Sequence, residues 1–163
     1  GTREEQEKRW SEAPAKYGEK TLEIMGVQVM QQWEEPLMEE LAQKVTEQGG
    51  RILEIGFGMG ISARMIQKYN IEEHVIIEAN KDVYENLVEF SKTSPHKVTP
   101  LLGFWQNVMP GLEEGSFDGV FFDDYPISSQ QRDEFEKTTL FQCSHRVLRK
   151  GGVLVYYTGE QGE

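Results

Sequence analysis

Five short stretches, at 51–55, 74–78, 97–102, 117–122 and 153–157, several of them continuous apolar runs and the third shortened by Pro100, alternate with stretches of helical periodicity. Runs of this length without polar alternation read as strands buried on both faces. Helical spacing lies between them, over Ile61 to Tyr69, over Asp82 to Phe90 with Val83, Leu87 and Phe90 on one face, and over Gln130 to Val147. Strands that alternate with helices predict an α/β fold, a parallel sheet with helices on both faces. In such sheets ligands bind beyond the carboxyl ends of the strands, where the strand order reverses. The loops after Ile55 and Phe122 leave such ends.

The N-terminal part differs. Residues 1–20 are polar and read as an arm with little regular structure. From Leu22 to Val45, Met30, Trp33, Leu37, Met38, Leu41 and Val45 recur at helical spacing, and Pro36 interrupts them. A proline is tolerated in a first helical turn but not in the interior, so two helices are expected, the second opened by Pro36. Gly49-Gly50 ends the second. The expected division is 1–48, an arm and helices over a ligand site, and 49–163, the sheet core. Together they form one structural domain of 163 residues.

The net charge is -11, and Lys and Arg are scattered, which opposes nucleic-acid binding and suits a cationic small molecule. A single cysteine, Cys143, allows no internal disulfide and reads as a small buried hydrophobe. No run approaches the roughly 20 apolar residues that span a bilayer, so a cytoplasmic chain is expected. His74, His96 and His145 have no ligand spacing, and no metal is expected.

The segment EIGFGMG, Glu54 to Gly60, places three glycines beyond the first buried strand. Glycine lets a loop turn left-handed and lets a ligand lie directly on the main chain. The dinucleotide fingerprint G-x-G-x-x-G fails by one position, because residue 61 is Ile61. The pattern E-x-G-x-G-x-G at a first strand end resembles that of class I S-adenosylmethionine-dependent methyltransferases. In that superfamily an acidic residue closing the second strand accepts hydrogen bonds from the ribose hydroxyls, and Glu78 stands there. The turn Leu148-Arg149-Lys150-Gly151-Gly152 before the fifth strand also fits, with Lys150 where the superfamily has proline.

A closer resemblance lies in MQQWEEPLMEELA, GGRILEIGFGMGIS, EEHVIIEAN, HKVTPLLGFWQNV and FDGVFFDDYP. In order and spacing these are similar to the guanidinoacetate N-methyltransferase family. The resemblance implies a Rossmann-like methyltransferase sheet with an N-terminal helical cap. It implies S-adenosylmethionine as cofactor and S-adenosylhomocysteine as product. Trp10, Met30 and Met38 would wrap the cofactor, and Phe57, Gly58, Met59, Gly60, Ile61 and Ser62 would form the loop beneath it. Glu78 would take the ribose hydroxyls, with Ala79 and Asn80 beside the adenine and Phe104 and Trp105 flanking that ring. Asp123 would adjoin the cofactor and, with Glu34, grip the substrate guanidinium. The family continues past the fifth strand with a substrate-carboxylate loop and two more strands. Since this sequence ends at Glu163, a sheet lacking its last strands is expected.

The chemistry of that last pair follows from the residues. Guanidinium is planar and cationic, and its forked N–H groups match a carboxylate. A sulfonium methyl is already electrophilic, so placing the acceptor nitrogen about 3 to 3.5 Å away is the main task. A hydrogen-bonded carboxylate can then take the proton the nitrogen must lose. Asp123 is the expected base and Glu34 its partner. Plainer readings stand beside these: Glu34 as a solvated carboxylate, Asp123-Asp124 as a turn before Pro126, Trp105 as core. Expected partners are a small guanidino substrate, with a homodimer as an option, and neither nucleic acid nor membrane. Two other functions remain open, methylation of arginine or another guanidino compound, and cofactor binding without turnover. An amino-methylating nucleic-acid enzyme would need Asp/Asn-Pro-Pro-aromatic after the fourth strand, and Asp123-Asp124-Tyr125-Pro126 is not that run.

Overall fold

The computed structural model describes residues 2–17, 21–24, 27–31, 35–123 and 134–156. It opens with helix α1 (Arg3–Glu12), then strands β1 (Ala15–Tyr17), β2 (Thr21–Ile24) and β3 (Val27–Gln31), which form a small antiparallel sheet in that order. The irregular arm expected over residues 1–20 is thus helix and strand where it is described. The cause is local. Thr2 and Glu5 form a reciprocal capping box, each backbone N–H donating to the other's side chain at 3.1 Å.

The first of the two helices expected between Leu22 and Pro36 is also corrected, since β2 and β3 occupy that stretch. Leu22 faces Met30, and Ile24 faces Val27. Thr-Leu-Glu-Ile alternates polar and apolar residues, and Val27 and Val29 repeat at a spacing of two. That strand period overrides the looser helical one. The N-terminal cap is therefore one helix and a three-stranded sheet. The second expected helix is present as α2 (Glu35–Val45), with Pro36 in its first turn.

The core follows as β4 (Arg51–Ile55), α3 (Ile61–Ile66), β5 (Glu73–Glu78), α4 (Lys81–Thr93), β6 (Lys97–Leu102), α5 (Trp105–Val108), a 3-10 turn (Met109–Gly111), β7 (Phe117–Phe122), α6 (Glu134–Val147) and β8 (Leu148–Tyr156). Neither α5 nor the 3-10 turn has a periodic signal, being too short to show one. The five strands β4 to β8 pair in the order β6-β5-β4-β7-β8, all parallel. One face carries Ile52, Ile76 and Phe121 against Met38, Ile66 and Leu87. The other carries Leu53, Ile77 and Val120 against Trp105, Met109 and Val147. Both faces of the sheet are covered, as its continuous apolar strands require. The turn expected at 148–152 is a bulge inside β8, because Phe117 faces Leu148 while Gly119 already faces Val153. No described helix is long and apolar enough to cross a membrane.

The end of helix α2 comes closest to the sheet over one small residue. A Cβ on Gly119 would lie 2.2 Å from the Val45 carbonyl oxygen and 2.9 Å from Val45 Cγ2. Both are parts of the α2 terminus that cannot swing away. Gly119→Ala is therefore expected to destabilise the fold by about 1 to 3 kcal/mol, the usual cost of overpacking. The check is a lower urea midpoint at unchanged slope.

Candidate cofactor site

The ends of four strands are locked in one row. Beyond the last paired residues, the Gly56 N–H donates to the Ile77 oxygen at 2.7 Å, the Asp123 N–H to the Ile55 oxygen at 3.0 Å, and the Gly103 N–H to the Glu78 oxygen at 2.9 Å. The ladder thus runs one residue past the strands, and the loops after β4, β5, β6 and β7 leave it side by side. Strands β5 and β6 lie on one side of β4, and β7 and β8 lie on the other. The order reverses between Ile55 and Asp123, where a doubly wound sheet opens its crevice.

The glycine loop sits at that reversal. Gly56, Gly58 and Gly60 have φ values of 96°, 57° and 79°. These are left-handed conformations that side chains resist. At Gly60 a Cβ would also meet the Phe57 ring at 2.9 Å and Arg64 Nη1 at 3.1 Å. A bare main chain is thus enforced both by conformation and by space.

Glu78 closes β5 and bends back onto this loop. Its Oε1 accepts the Phe57 N–H at 2.8 Å, and its Oε2 accepts the Asn80 N–H at 3.0 Å. The residue is only 7 % exposed. Burial pushes its carboxyl above the ordinary value, against the opposing pull of the N–H groups of Phe57, Asn80, Gly58 and Ala79. Among the described residues only the Phe57 and Asn80 N–H groups make hydrogen bonds to it, one on each oxygen, so about half of a carboxylate's four or so lone-pair sites remain for a pair of adjacent hydroxyls. Acid, bare loop and crevice together fit a nucleoside with a ribose diol and no pyrophosphate.

A second buried acid braces the loop from below. Glu54 and His74 are both 0 % exposed. Glu54 Oε1 lies 2.8 Å from His74 Nε2, while its Oε2 accepts the Ser62 hydroxyl. His74 Nδ1 lies 2.9 Å from Gln67 Nε2, and Gln67 Oε1 accepts the His96 N–H at 2.8 Å. The directions follow by elimination. A backbone N–H can only donate, so the oxygen of Gln67 faces His96 and its NH2 donates to Nδ1. His74 therefore carries its proton on Nε2 and donates to Glu54. The chain links β4, β5 and the first turn of α3 across the glycine loop.

The other expected site residues divide by face. Trp10, Met38, Phe57 and Ile61 share one apolar cluster, with Met59, Ala79 and Phe104 packed against it. Ser62 lies buried beneath the loop on Glu54. Trp105 lies in the cluster on the opposite face, edge-on to Phe122 with ring centroids 5.7 Å apart. Asn80 is fully buried, and both N–H bonds of its amide go to the N-terminal segment. Asp123 is half-buried at the crevice. Met30 stands on β3 with its side chain outside the described atoms, and Glu34 lies outside the described residues. His74 and Gln67 were not anticipated. Their signal is a polar residue at a position where a doubly covered strand or its neighbouring helix end should be apolar.

The sheet order and the glycine loop at its reversal define the fold of the class I S-adenosylmethionine-dependent methyltransferases. The solved PH0226 protein of Pyrococcus horikoshii OT3 matches with a TM-score of 0.64 at 22% identity, over 82% of this chain and 57% of that one. The O-methyltransferase TomG of Streptomyces achromogenes, solved with S-adenosylmethionine, matches with a TM-score of 0.54 at 23% identity, over 73% and 53%. A family model described as guanidinoacetate N-methyltransferase matches residues 1–160, and the chain belongs to that family. Its cofactor is S-adenosylmethionine. Among curated relatives, protein arginine N-methyltransferase 2 of Yarrowia lipolytica is 32% identical over 139 residues, which is 80% of this chain and 28% of the relative. This chain thus spans less than a third of that relative.

Glu78 gives a pH test. Because its carboxyl is raised in the folded chain, there is an interval above the ordinary carboxylate value in which the folded form keeps a proton that the unfolded form has released. The stabilisation is complete below the unfolded value and is lost as pH rises through the raised one. The urea midpoint of the native chain should therefore fall relative to Glu78→Gln across that interval. A difference that stays constant with pH would remove the assignment.

Proposed function

We propose that this chain transfers a methyl group from S-adenosylmethionine to a guanidino nitrogen of a small molecule, with guanidinoacetate as acceptor and creatine as product. The observation that carries the reading is the position of Asp123. Its backbone N–H is pinned to the Ile55 oxygen, one residue from the first glycine of the loop, so the residue itself stands where the strand order reverses. When bound, the cofactor supplies a methyl group already electrophilic on its sulfonium.

The protein's share is placement and proton handling. Glu78 and the N–H groups around it hold the nucleoside end, and the Gly56–Gly60 main chain leaves room for the rest. Trp10, Met38, Phe57 and Phe104 exclude water from the apolar side. The Asp123 carboxylate accepts N–H bonds from the guanidinium, fixes its plane and takes the proton that the attacking nitrogen gives up. Glu34 holds the opposite edge of the same group. Net negative charge favours a cationic acceptor reaching the crevice.

The names of the curated relatives support a second reading, in which the acceptor is the guanidino group of a protein-bound arginine. Both acceptors present the same planar cation, so the test must vary what is attached to it. A transfer assay should compare guanidinoacetate, guanidinobutyrate, free arginine and an arginine peptide. Preference for the peptide would displace the small-molecule reading. Binding without transfer to any of them would leave only a cofactor-binding module.

In the same assay Asp123→Asn and Glu34→Gln should retain S-adenosylhomocysteine binding and lose transfer. Glu78→Ala should weaken cofactor binding by about 1.5 to 3 kcal/mol, the scale of hydrogen bonds to a charged group. Calorimetry reads the affinities, and normal transfer by Asp123→Asn would take that residue out of the mechanism.

A further inference from the structure

Three consecutive residues after Glu78 reach the same distant stretch of chain. The Asn80 amide Nδ2 donates to the Trp10 oxygen and to the Ala13 oxygen, both at 2.8 Å. Lys81 Nζ lies 3.5 Å from Glu12 Oε2. Asp82 Oδ2 accepts the Ala15 N–H at 3.1 Å. The Asn80 bond to Trp10 is buried and that to Ala13 part-buried, whereas the contacts of Lys81 and Asp82 are exposed, so Asn80 carries most of the attachment.

Asn80 is also bound on its own side. Its Oδ1 accepts the Val83 N–H at 3.1 Å and caps α4, its carbonyl accepts the Tyr84 N–H, and its N–H donates to Glu78 Oε2. Both amide protons are spent, which leaves no side-chain donor to offer an adenine. The same residue thus orients the ribose-facing carboxylate and holds the end of α1. Helix α1 has ten residues and a polar composition. Alone it would be marginal, so it persists by docking. Trp10, its one buried large side chain, lies in the apolar cluster that also holds Phe57.

Resting on the cofactor assignment above, we infer that Asn80 is a positioning residue that makes docking of the N-terminal segment and presentation of Glu78 to the cofactor a single cooperative event. An N-terminal segment that undocks takes away the Trp10 wall and frees the Asn80 amide. The turn that aligns Glu78 then loses its outer support. In the reverse direction, a cofactor that engages Glu78 and the apolar cluster holds the segment down.

The test uses the full chain and S-adenosylhomocysteine as probe. Asn80→Ser keeps an oxygen that can cap α4 but removes both donors. Asn80→Asp is the second variant, should the first fold poorly. Hydrogen exchange over residues 2–15 is expected to quicken about tenfold or more without ligand, while α4 stays protected, and affinity is expected to fall roughly five- to tenfold. Combined with Trp10→Ala, the losses should be less than additive, because both act through one docked segment.

Unchanged exchange over 2–15 would overturn the docking role, whatever the chain binds. Fully additive losses would overturn the coupling and leave Asn80 acting on the ligand independently of the segment. If the native chain fails to bind S-adenosylhomocysteine, the cofactor assignment falls and the coupling with it. The exchange measurement still decides the docking role, so the two failures remain distinguishable.

Discussion

A carboxyl group nearly withdrawn from water and facing main-chain N–H groups is the constraint around which this site is built. Removing Glu78 from solvent costs several kcal/mol unless donors replace the lost water. The donors come from Phe57 in the glycine loop and Asn80 in the turn after β5, so each side holds the other in place. A loop with side chains at Gly56, Gly58 and Gly60 could not take the path that points the Phe57 N–H at Glu78. Strand order then decides where the assembly stands. Placing β4 between β5 and β7 brings Glu78, the loop and Asp123 to one crevice.

The two buried acids of this layer do different work because their donors differ. Glu54 is satisfied by side chains, those of His74 and Ser62, on elements that the core already fixes. Its bonds brace β4, β5 and α3 against one another, and it is sealed from any ligand. Glu78 is satisfied by main chain, the N–H groups of Phe57 and Asn80, at the end of its strand. Both fall on the same face of the sheet by strand alternation, since Ile52 and Ile76 of that face lie two residues before each. One acid supports the loop from beneath and the other meets what lies upon it.

Much of this was readable in the residues alone. Largely apolar runs gave β4 and β7 at their observed limits, because a doubly covered strand has little competing pattern, while the edge strand β6 runs through the Pro100 expected to shorten it. The glycine spacing and Glu78 marked the loop and the strand end that meet at the crevice, since both obey local rules of backbone freedom and acceptor chemistry. The N-terminal stretch misled for a physical reason. Leu22, Ile24, Val27 and Met30 satisfy strand and helix spacing almost equally over so short a span, and pairing between segments decides the matter. Tertiary hydrogen bonds were out of reach altogether. Nothing in the spacing of Asn80 from Trp10, or of Gln67 from His74, says that they meet. Only the sheet brings them together.

The same reasoning shows where substrate identity must reside. Guanidinoacetate and a peptidyl arginine present the same planar cation, so a carboxylate acting at Asp123 as proposed would recognise either one equally well. The relatives named for arginine methylation match the portion of chain that builds the cofactor loop and this crevice. Discrimination has to come from groups that meet the far end of the acceptor, a small carboxylate in one case and a polypeptide in the other. A buried partner for a carboxylate rejects a peptide strongly, because the partner would be left unpaired. A small acceptor accordingly needs a closed mouth, and a peptidyl one an open groove.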